Sequence, residues 1–248
     1  MKKIAIIIPT FNELDNIEDL INKISKNIPE SSIFIIDDTK DPDIGNLITL
    51  KNLKAKYFHR ENSKGRGSAV LFGLNEALKE NEFDIFVEMD ADFSHNPDEL
   101  RKNIEKIIKS DLDLLIASRY LKNSKIINWS LQRRVLSKFS NFLARILLGI
   151  KLNDFTNGFR FYSKKANGFR FYSKKASEKI TKKCGNIGDG FILLSEIIVV
   201  LNNNSFKIEE TDTIFINRVR GESSVNTRLV LASLYGIIKL FFIKNKLI

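Results

Sequence analysis

The chain alternates between short, continuous apolar runs and longer segments in which apolar residues return every three or four positions. Ile4-Ala5-Ile6-Ile7-Ile8-Pro9 is an unbroken, mostly β-branched run, the pattern of a strand buried on both faces of a parallel sheet. The polar turn Thr10-Phe11-Asn12-Glu13 follows. Leu14, Ile17, Leu20, Ile21 and Ile24 then recur at helical spacing, and Pro29 stops the helix. Ile33-Phe34-Ile35-Ile36 predicts a second strand ending in Asp37-Asp38, and Tyr57-Phe58-His59 a weaker third. The same reading gives a helix through Val70, Leu71, Leu74, Ala77 and Leu78, a strand at Ile85 to Val87, a helix through Leu100, Ile104, Ile107 and Ile108, and a strand at Leu114 to Ala117. From Trp129 onward, Leu131, Val135, Leu136, Phe139, Phe142, Leu143, Ile146 and Leu147 mark a long amphipathic helix. Arg133, Arg134, Lys138 and Arg145 occupy its other positions, where basic residues are ordinarily solvated. Phe191, Leu194, Ile197, Ile198 and Leu201 predict another helix with Glu196 inside it, and Lys207-Ile208-Glu209 and Thr213 to Ile216 predict late strands. Strands alternating with helices, with polar residues at the strands' carboxyl ends, predict a doubly wound α/β fold.

Two stretches fall outside this alternation. Asn157 to Ala166 recurs unchanged as Asn167 to Ala176. A single tandem pair is too few for a stacked repeat architecture, so one copy is expected to fill a native strand and the other to loop out. The tail from Leu229 to Ile243 is apolar except for Ser233, Gly236 and Lys239, which share one helical stripe. At 1.5 Å per residue it reaches about 22 Å, short of a hydrocarbon core of about 30 Å. It therefore predicts an interfacial helix, with Lys244 and Lys246 near lipid headgroups, or else a helix docked on the protein's own core. The expected division is a catalytic domain over residues 1–225 and this helix over 226–248.

Composition narrows the partners. With 248 residues and 43% hydrophobic content the chain can build a full core, and a net charge of +10 favours anionic partners: nucleic acid, an acidic membrane surface or a phosphorylated substrate. Cys184 is the only cysteine, which excludes an intrachain disulfide and cysteine-rich zinc sites. The apolar run at the amino terminus is short and ends at Pro9, as a first strand does and a signal peptide does not.

The chemistry concentrates in Met89-Asp90-Ala91-Asp92-Phe93-Ser94-His95, where a strand gives way to a helix started by Asn96-Pro97 and Glu99. Residues i and i+2 of an extended segment face the same side, so Asp90 and Asp92 suit one hard divalent cation, Mg²⁺ or Mn²⁺, gripping a diphosphate. Asp41-Pro42-Asp43 and Asp111-Leu112-Asp113 have the same spacing but do not stand between a strand and a capped helix. Asn62-Ser63-Lys64-Gly65-Arg66-Gly67-Ser68-Ala69 is a glycine-rich, basic turn opening a helix, a form that offers backbone N–H groups to an anion. Arg119, at a strand's carboxyl end, is placed to bind phosphate. Arg218-Val219-Arg220-Gly221-Glu222-Ser223-Ser224 forms a second basic loop.

Taken in order, Ile8 to Glu13, Ile36-Asp37-Asp38, Lys64 to Ala69, Met89 to His95, Ala117-Ser118-Arg119-Tyr120, Gly158 to Tyr162 and Arg218 with Gly221 and Ser223 resemble the family 2 glycosyltransferases of the GT-A fold. The similarity is strongest to dolichyl-phosphate mannosyltransferases, the polyprenol monophosphomannose synthases. The resemblance implies a Rossmann-like, mostly parallel central sheet with a C-terminal amphipathic, membrane-associating helix. It also implies transfer of a hexose, mannose before glucose, from GDP-mannose or UDP-glucose to a polyprenyl phosphate, with inversion, at the cytoplasmic face of a membrane. By residue, it implies nucleotide contacts at Pro9, Phe11, Glu13, Asp38, Arg66 and Ala91, a metal at Asp90, Asp92 and Ser94, and phosphates of donor and acceptor at Arg119, Arg133, Arg218 and Ser224. Asp90, Asp92 and Arg119 would carry the catalysis. The family's usual Asp-Asp-x-Ser-x-Asp reads Asp37-Asp38-Thr39-Lys40-Asp41-Pro42-Asp43 here, and the late Arg-x-x-Gly-x-Ser-Lys ends in Ser224. The duplication, directly after Asp154, is expected to bear on the acceptor side. A phosphate acceptor is already ionised and needs no general base, whereas a glycan hydroxyl would need one, from Asp154, Asp189 or Glu196. The other readings are an inactive lipid- or partner-binding protein and a basic nucleic-acid-binding module. Against the last, the basic residues are scattered and form no nucleic-acid motif, so no nucleic acid is expected.

Overall fold

The computed structural model describes residues 2–40, 43–61, 65–163, 184–185, 187, 192–218 and 227–244. Lys64, Asp189, Gly221, Ser223, Ser224, Lys246 and the second copy of the repeat lie outside them.

The strands are β1 (Ile4–Thr10), β2 (Ser31–Asp37), β3 (Ala55–His59), β4 (Ile85–Glu88), β5 (Leu114–Ser118), β6 (Lys125–Ile127), β7 (Arg160–Ser163), β8 (Ile208–Asp212) and β9 (Ile214–Ile216). The helices are α1 (Leu14–Asn27), α2 (Ile44–Leu50), α3 (Arg66–Lys79), α4 (Leu100–Lys109), α5 (Leu131–Leu148), α6 (Ile192–Asn203) and α7 (Thr227–Ile243). Seven strands form one sheet in the order β3-β2-β1-β4-β7-β5-β8, and β6 pairs with β9 in a small second sheet. Within the large sheet β7 alone runs against the rest, antiparallel to both β4 and β5.

The alternation of strand side chains explains the layering. Ile4, Ile6 and Ile8 enter one apolar layer with Ile17, Leu20 and Ile21 of α1, Ile44 of α2, and Leu100 and Ile104 of α4. Ala5 and Ile7 enter the opposite layer with Val70 and Leu74 of α3, Ala144 and Leu148 of α5, Ile198 of α6, and Ile237 and Leu240 of α7. Because β1 is covered on both faces, it is apolar at every position from Ile4 to Ile8. The packing is tight where α3 crosses the sheet: a Cβ at Gly73 would lie 2.5 Å from Ile7 and 2.8 Å from Ile36.

The first copy of the repeat supplies β7. Phe159, Phe161 and Tyr162 are buried, and Val87 of β4 and Leu115 of β5 both pair with Phe161. Arg160 is fully buried and donates to the carbonyls of Asn157, Leu194 and Phe155 at 2.9, 2.8 and 3.0 Å. Its charge is thus solvated by backbone oxygens.

The helical period of α5 is as expected, but its orientation is not. The buried positions are Ser140, Asn141, Ala144 and Leu148, while Leu131, Val135, Phe139, Phe142 and Ile146 are exposed. The tail, α7, has one face docked on the protein. Ile237 and Leu240 are buried, a Cβ at Gly236 would lie 2.8 Å from Ile192 of α6, and Lys244 Nζ donates to the carbonyl of Leu147 at 2.9 Å. Lys244 therefore caps α5 instead of reaching outward to headgroups. Tyr235, Ile238 and Phe242 remain exposed on its other face. No helix among the described residues is long and apolar enough to cross a membrane.

Candidate active site

The carboxyl ends of β1, β2, β4 and β5 carry the polar residues singled out in the sequence. At the end of β4, Asn96 caps the following turn, its side chain accepting from Asp98 N at 3.0 Å. Between β4 and that cap the chain bends so sharply that Phe93 adopts φ +59°, a left-handed conformation costly for a bulky residue. The bend folds the Asp92 carboxylate back so that Oδ1 accepts from Ser94 N at 3.0 Å.

Around this turn the charges interlock. Arg66, at the start of α3, donates from Nε and Nη2 to Asp90 Oδ1 at 2.8 and 2.6 Å, and from Nη1 to the buried Glu88 at 2.7 Å. Burial alone would push the Asp90 carboxyl up; Arg66 first, then His95 and Arg218, hold it down to about 2. Asp92 Oδ2 lies 3.0 Å from Arg218, whose other nitrogen is 3.7 Å from Glu13. Glu13 is raised above the ordinary carboxylate range, mainly by burial, with Asp92 and Asp90 adding to the shift and Asn16 and Arg218 opposing it.

A second cluster stands alongside. Arg119, at the end of β5, is buried and donates from Nε and Nη2 to the two oxygens of Asp154 at 2.8 and 2.7 Å, and from Nη2 to Thr156 at 2.7 Å. Its guanidinium faces the Trp129 and Phe215 rings at 5.3 and 5.5 Å, and Arg133 stacks on Trp129 at 4.1 Å. Arg133 is held by Asn217, 3.0 Å away, next to Arg218. Its pKa is lowered by burial and by the positive charges of Arg119 and Arg218, with Asp92 pulling the other way. The three arginines and the two aspartates of the sequence reading thus share one electrostatic neighbourhood.

Other expected residues take different parts. Phe11 is exposed beside this rim, Pro9 is half-buried and Ala91 is buried. Asp38 is gripped by Arg60, with bonds of 2.7 and 2.6 Å, so a nucleotide would meet the pair and not a lone carboxylate. Arg66, read as an anion ligand, is engaged by two carboxylates. Asp154, offered as a base, is locked onto Arg119. Glu196 is buried in α6, accepts from Gly185 N at 2.7 Å and feels Lys239 of α7, so it belongs to the helical layer. The control pair behaves structurally: Asp113 accepts from Lys207 N at 2.9 Å and stitches β8 to β5.

Several contributors were not visible in the sequence. His95 is buried, and its Nδ1 accepts from Asp90 N at 2.9 Å, so the proton sits on Nε2, which donates to Asn157 Oδ1 at 3.0 Å. Asn157 in turn donates to the Ala117 carbonyl. This chain ties the ends of β4, β7 and β5 together beneath Asp90. Glu88 accepts from Tyr162 at 3.0 Å as well as from Arg66. Gly158 lies so close under Arg66 that any Cβ there would strike the guanidinium.

The donors a cation would meet are oxygens: Asp90 Oδ2, Asp92 Oδ2 in exchange for its contact with Arg218, and Ser94 Oγ, which is buried and has no hydrogen-bond partner among the described residues. That is the donor chemistry of a hard divalent ion. The described residues hold no cluster of three acidic, histidine or cysteine ligands, so an ion here would need further oxygens from a substrate.

Comparison with known proteins gives a consistent picture. The model of Glycosyl transferase family 2 matches residues 5–170. Polyprenol monophosphomannose synthase of Mycolicibacterium smegmatis is 30% identical over 229 residues, covering 91% of this chain and 82% of that one. Undecaprenyl-phosphate mannosyltransferase of Micrococcus luteus is 32% identical over 163 residues, covering 64% and 66%. In fold, the chain is similar to glucosyl-3-phosphoglycerate synthase from Mycobacterium tuberculosis solved with Mn²⁺, UDP and phosphoglyceric acid, with a TM-score of 0.66 at 15% identity, covering 98% of this chain and 78% of that one.

Proposed function

The chain belongs to glycosyl transferase family 2, and from that premise we propose that it transfers mannose from GDP-mannose to a polyprenyl phosphate, with inversion, at a membrane surface. One observation carries the reading: two carboxylates and three arginines converge on one sheet rim, with anion-binding and cation-binding groups side by side. The mannosyltransferase names of the two relatives support the choice of sugar and acceptor.

Asp90, Asp92 and Ser94 would hold Mg²⁺ or Mn²⁺, and the ion, when bound, would offset the charge that develops on the departing nucleoside diphosphate. The protein's own residues do the rest. Phe11, Pro9, Glu13 and the Asp38–Arg60 pair flank the position of the nucleotide. Arg119 and Arg133, stacked on Trp129, present cations to the acceptor phosphate, and Arg218 spans to Asp92 on the donor side. Ser224 would extend the phosphate contacts. The acceptor oxygen attacks the anomeric carbon as the bond to the diphosphate breaks, and the nucleoside diphosphate leaves with the electron pair. Since a phosphate monoester is largely ionised near neutrality, no proton need be removed. The locking of Asp154 onto Arg119 and the placement of Glu196 in the helical layer favour this acceptor over a glycan hydroxyl.

The test is transfer of labelled sugar by purified protein from GDP-mannose or UDP-glucose, with Mg²⁺ or Mn²⁺, to a polyprenyl phosphate in detergent, with a sugar-hydroxyl acceptor in parallel. Asp92→Ala should abolish transfer with the thermal melt intact. Metal-independent transfer by that variant, or transfer only to the hydroxyl, would overturn the reading.

A further inference from the structure

We infer that Trp129 is the positioning residue at the acceptor end of the site: its indole, with Asn217 beside it, holds the Arg133 guanidinium where the acceptor phosphate arrives. The inference rests on the function proposed above for the identity of that acceptor, and it adds two residues that act on the phosphate through Arg133.

Arg133 differs from its neighbours in what holds it. Among the described residues, the guanidiniums of Arg66, Arg119 and Arg218 each meet a carboxylate. That of Arg133 meets the Trp129 ring, 4.1 Å away, and the amide oxygen of Asn217 at 3.0 Å. Both supports are neutral, so the charge of Arg133 is left for an incoming anion. Its surroundings work against it: burial and the positive charges of Arg119 and Arg218 all disfavour a cation there. A long side chain under such repulsion would swing out to solvent unless something held it. The electron-rich face of an indole attracts a guanidinium, most strongly where water is excluded, and does so without cancelling its charge. A carboxylate in the same place would hold the arginine and neutralise it together.

The local fold sets the ring there. β6 and β9 pair in parallel from Lys125 with Ile214 to Ile127 with Ile216, and Asn217 N donates to the Ile127 carbonyl at 3.0 Å, which carries the pairing one residue further. Asn128 then takes φ +60°, a left-handed turn that asparagine tolerates. Trp129, after this turn, packs edge to face against Phe215 of β9, with ring centroids 5.2 Å apart. Ser130 follows and caps α5, its side chain accepting from Arg133 N at 3.3 Å. The backbone of Arg133 is therefore fixed by the cap and its head by the ring and the amide. Trp129 is 8% exposed, and its Nε1–H has no hydrogen-bond partner among the described residues. A buried indole N–H usually finds an acceptor, so the stacking of its face, and not its donor, sets how this ring is turned.

Trp129 is the only tryptophan of the chain, so its emission reads this site alone. A short-chain prenyl phosphate titrated into the full chain, without sugar donor, should change that emission along a saturating curve. Arg133→Gln should move the midpoint about tenfold or more, the scale of a charged contact to phosphate, and Asn217→Ala several-fold. GDP-mannose in place of the prenyl phosphate should give less than half the change. In transfer assays, Trp129→Leu should raise KM for the prenyl phosphate about tenfold, the worth of one desolvated cation–π contact. Trp129→Phe, which keeps a weaker ring, should raise it less, and KM for the sugar donor should stay within twofold in both. Damage to the small sheet as such would reach the donor side as well, because Asn217 precedes Arg218, which touches Asp92; equal rises in the two KM values overturn the inference. Should Trp129→Leu fail to fold, Trp129→Phe and Asn217→Ala carry the test, and wild-type KM for the prenyl phosphate in both overturns it. An emission that ignores prenyl phosphate, or that answers GDP-mannose more strongly, does the same. The titration needs no turnover. A protein that binds prenyl phosphate through Arg133 and Asn217 but transfers no mannose therefore keeps this inference and loses the proposed function, whereas a competent transferase indifferent to Trp129 and Asn217 loses this inference alone.

Discussion

Asp154→Asn changes one oxygen to an amide nitrogen at the most heavily bonded carboxylate of the site. Asp154 is fully buried and accepts from Arg119 N, Nε and Nη2 at 3.0, 2.8 and 2.7 Å and from the backbone of Thr156 and Asn157 at 3.2 and 3.1 Å. An amide has one accepting oxygen, and its NH₂ would face N–H donors. The buried guanidinium would also lose its counter-charge. Breaking one half of a buried ion pair costs about 3–5 kcal/mol, a large share of the roughly 5–15 kcal/mol that holds a domain folded. Urea unfolding measures it directly, with Asp98→Asn as control: Asp98 pairs with Lys23 at 2.9 Å at the surface, and should lose less than about 1 kcal/mol. The pH dependence adds a second check. Burial would raise the Asp154 carboxyl, but Arg119 overrides it and holds it below its ordinary 3.8, so the stabilisation is complete above that pH and disappears as pH falls toward the folded value. Asp154→Asn should lack this acid limb. A loss within about 1 kcal/mol of the Asp98→Asn control, with the acid limb intact, would refute the claim that this pair holds Arg119 in place.

Three further outcomes are expected. Gly158→Ala should push Arg66 off Asp90 and reduce transfer, at a stability cost of about 1–3 kcal/mol for overpacking; unchanged kinetics would show that Arg66 does not shape the acidic turn. Burial pushes Glu196 up to about 7, so it stays protonated in the fold while the unfolded chain ionises from about pH 4.5, and stability should decline as pH rises through that window by up to about 3 kcal/mol. Glu196→Gln should flatten the decline in a pH series of urea melts. Deleting ten residues, whether 157–166 or 167–176, yields the same protein, because the copies are identical. It should fold with a stability change below about 1 kcal/mol, since closure entropy varies slowly with length, and should retain transfer.

Much of the scaffold could be read from period and punctuation. β1, β2, β4 and β5 are short apolar runs, and α1, α3 and α4 announce themselves by spacing and, for α4, by the Asn96-Pro97 start. The helix α2 and the strand β6 did not, because Ile44 to Leu50 and Lys125 to Ile127 are too short for a period to register. The face of α5 misled for another reason: spacing shows that a stripe exists but not what covers it. Asp90 and Asp92 differ from Asp111 and Asp113 by position at a strand's end, whereas the partners of Arg66 lie 22 and 24 residues on and the His95–Asn157 link spans 62, contacts that no local pattern carries. The two histidines, His59 and His95, carry no mark along the chain that tells the exposed one from the buried one.

Among the described strands, the reversed one decides where a change of length after it is felt. β7 starts beside the acidic turn and runs away from it, so that Ser163 pairs with Ile85, the first residue of β4. The chain therefore departs from β7 at the end of the sheet opposite the reacting groups. A change of chain length made directly after Ser163 would therefore start from the rim of the sheet farthest from the two aspartates.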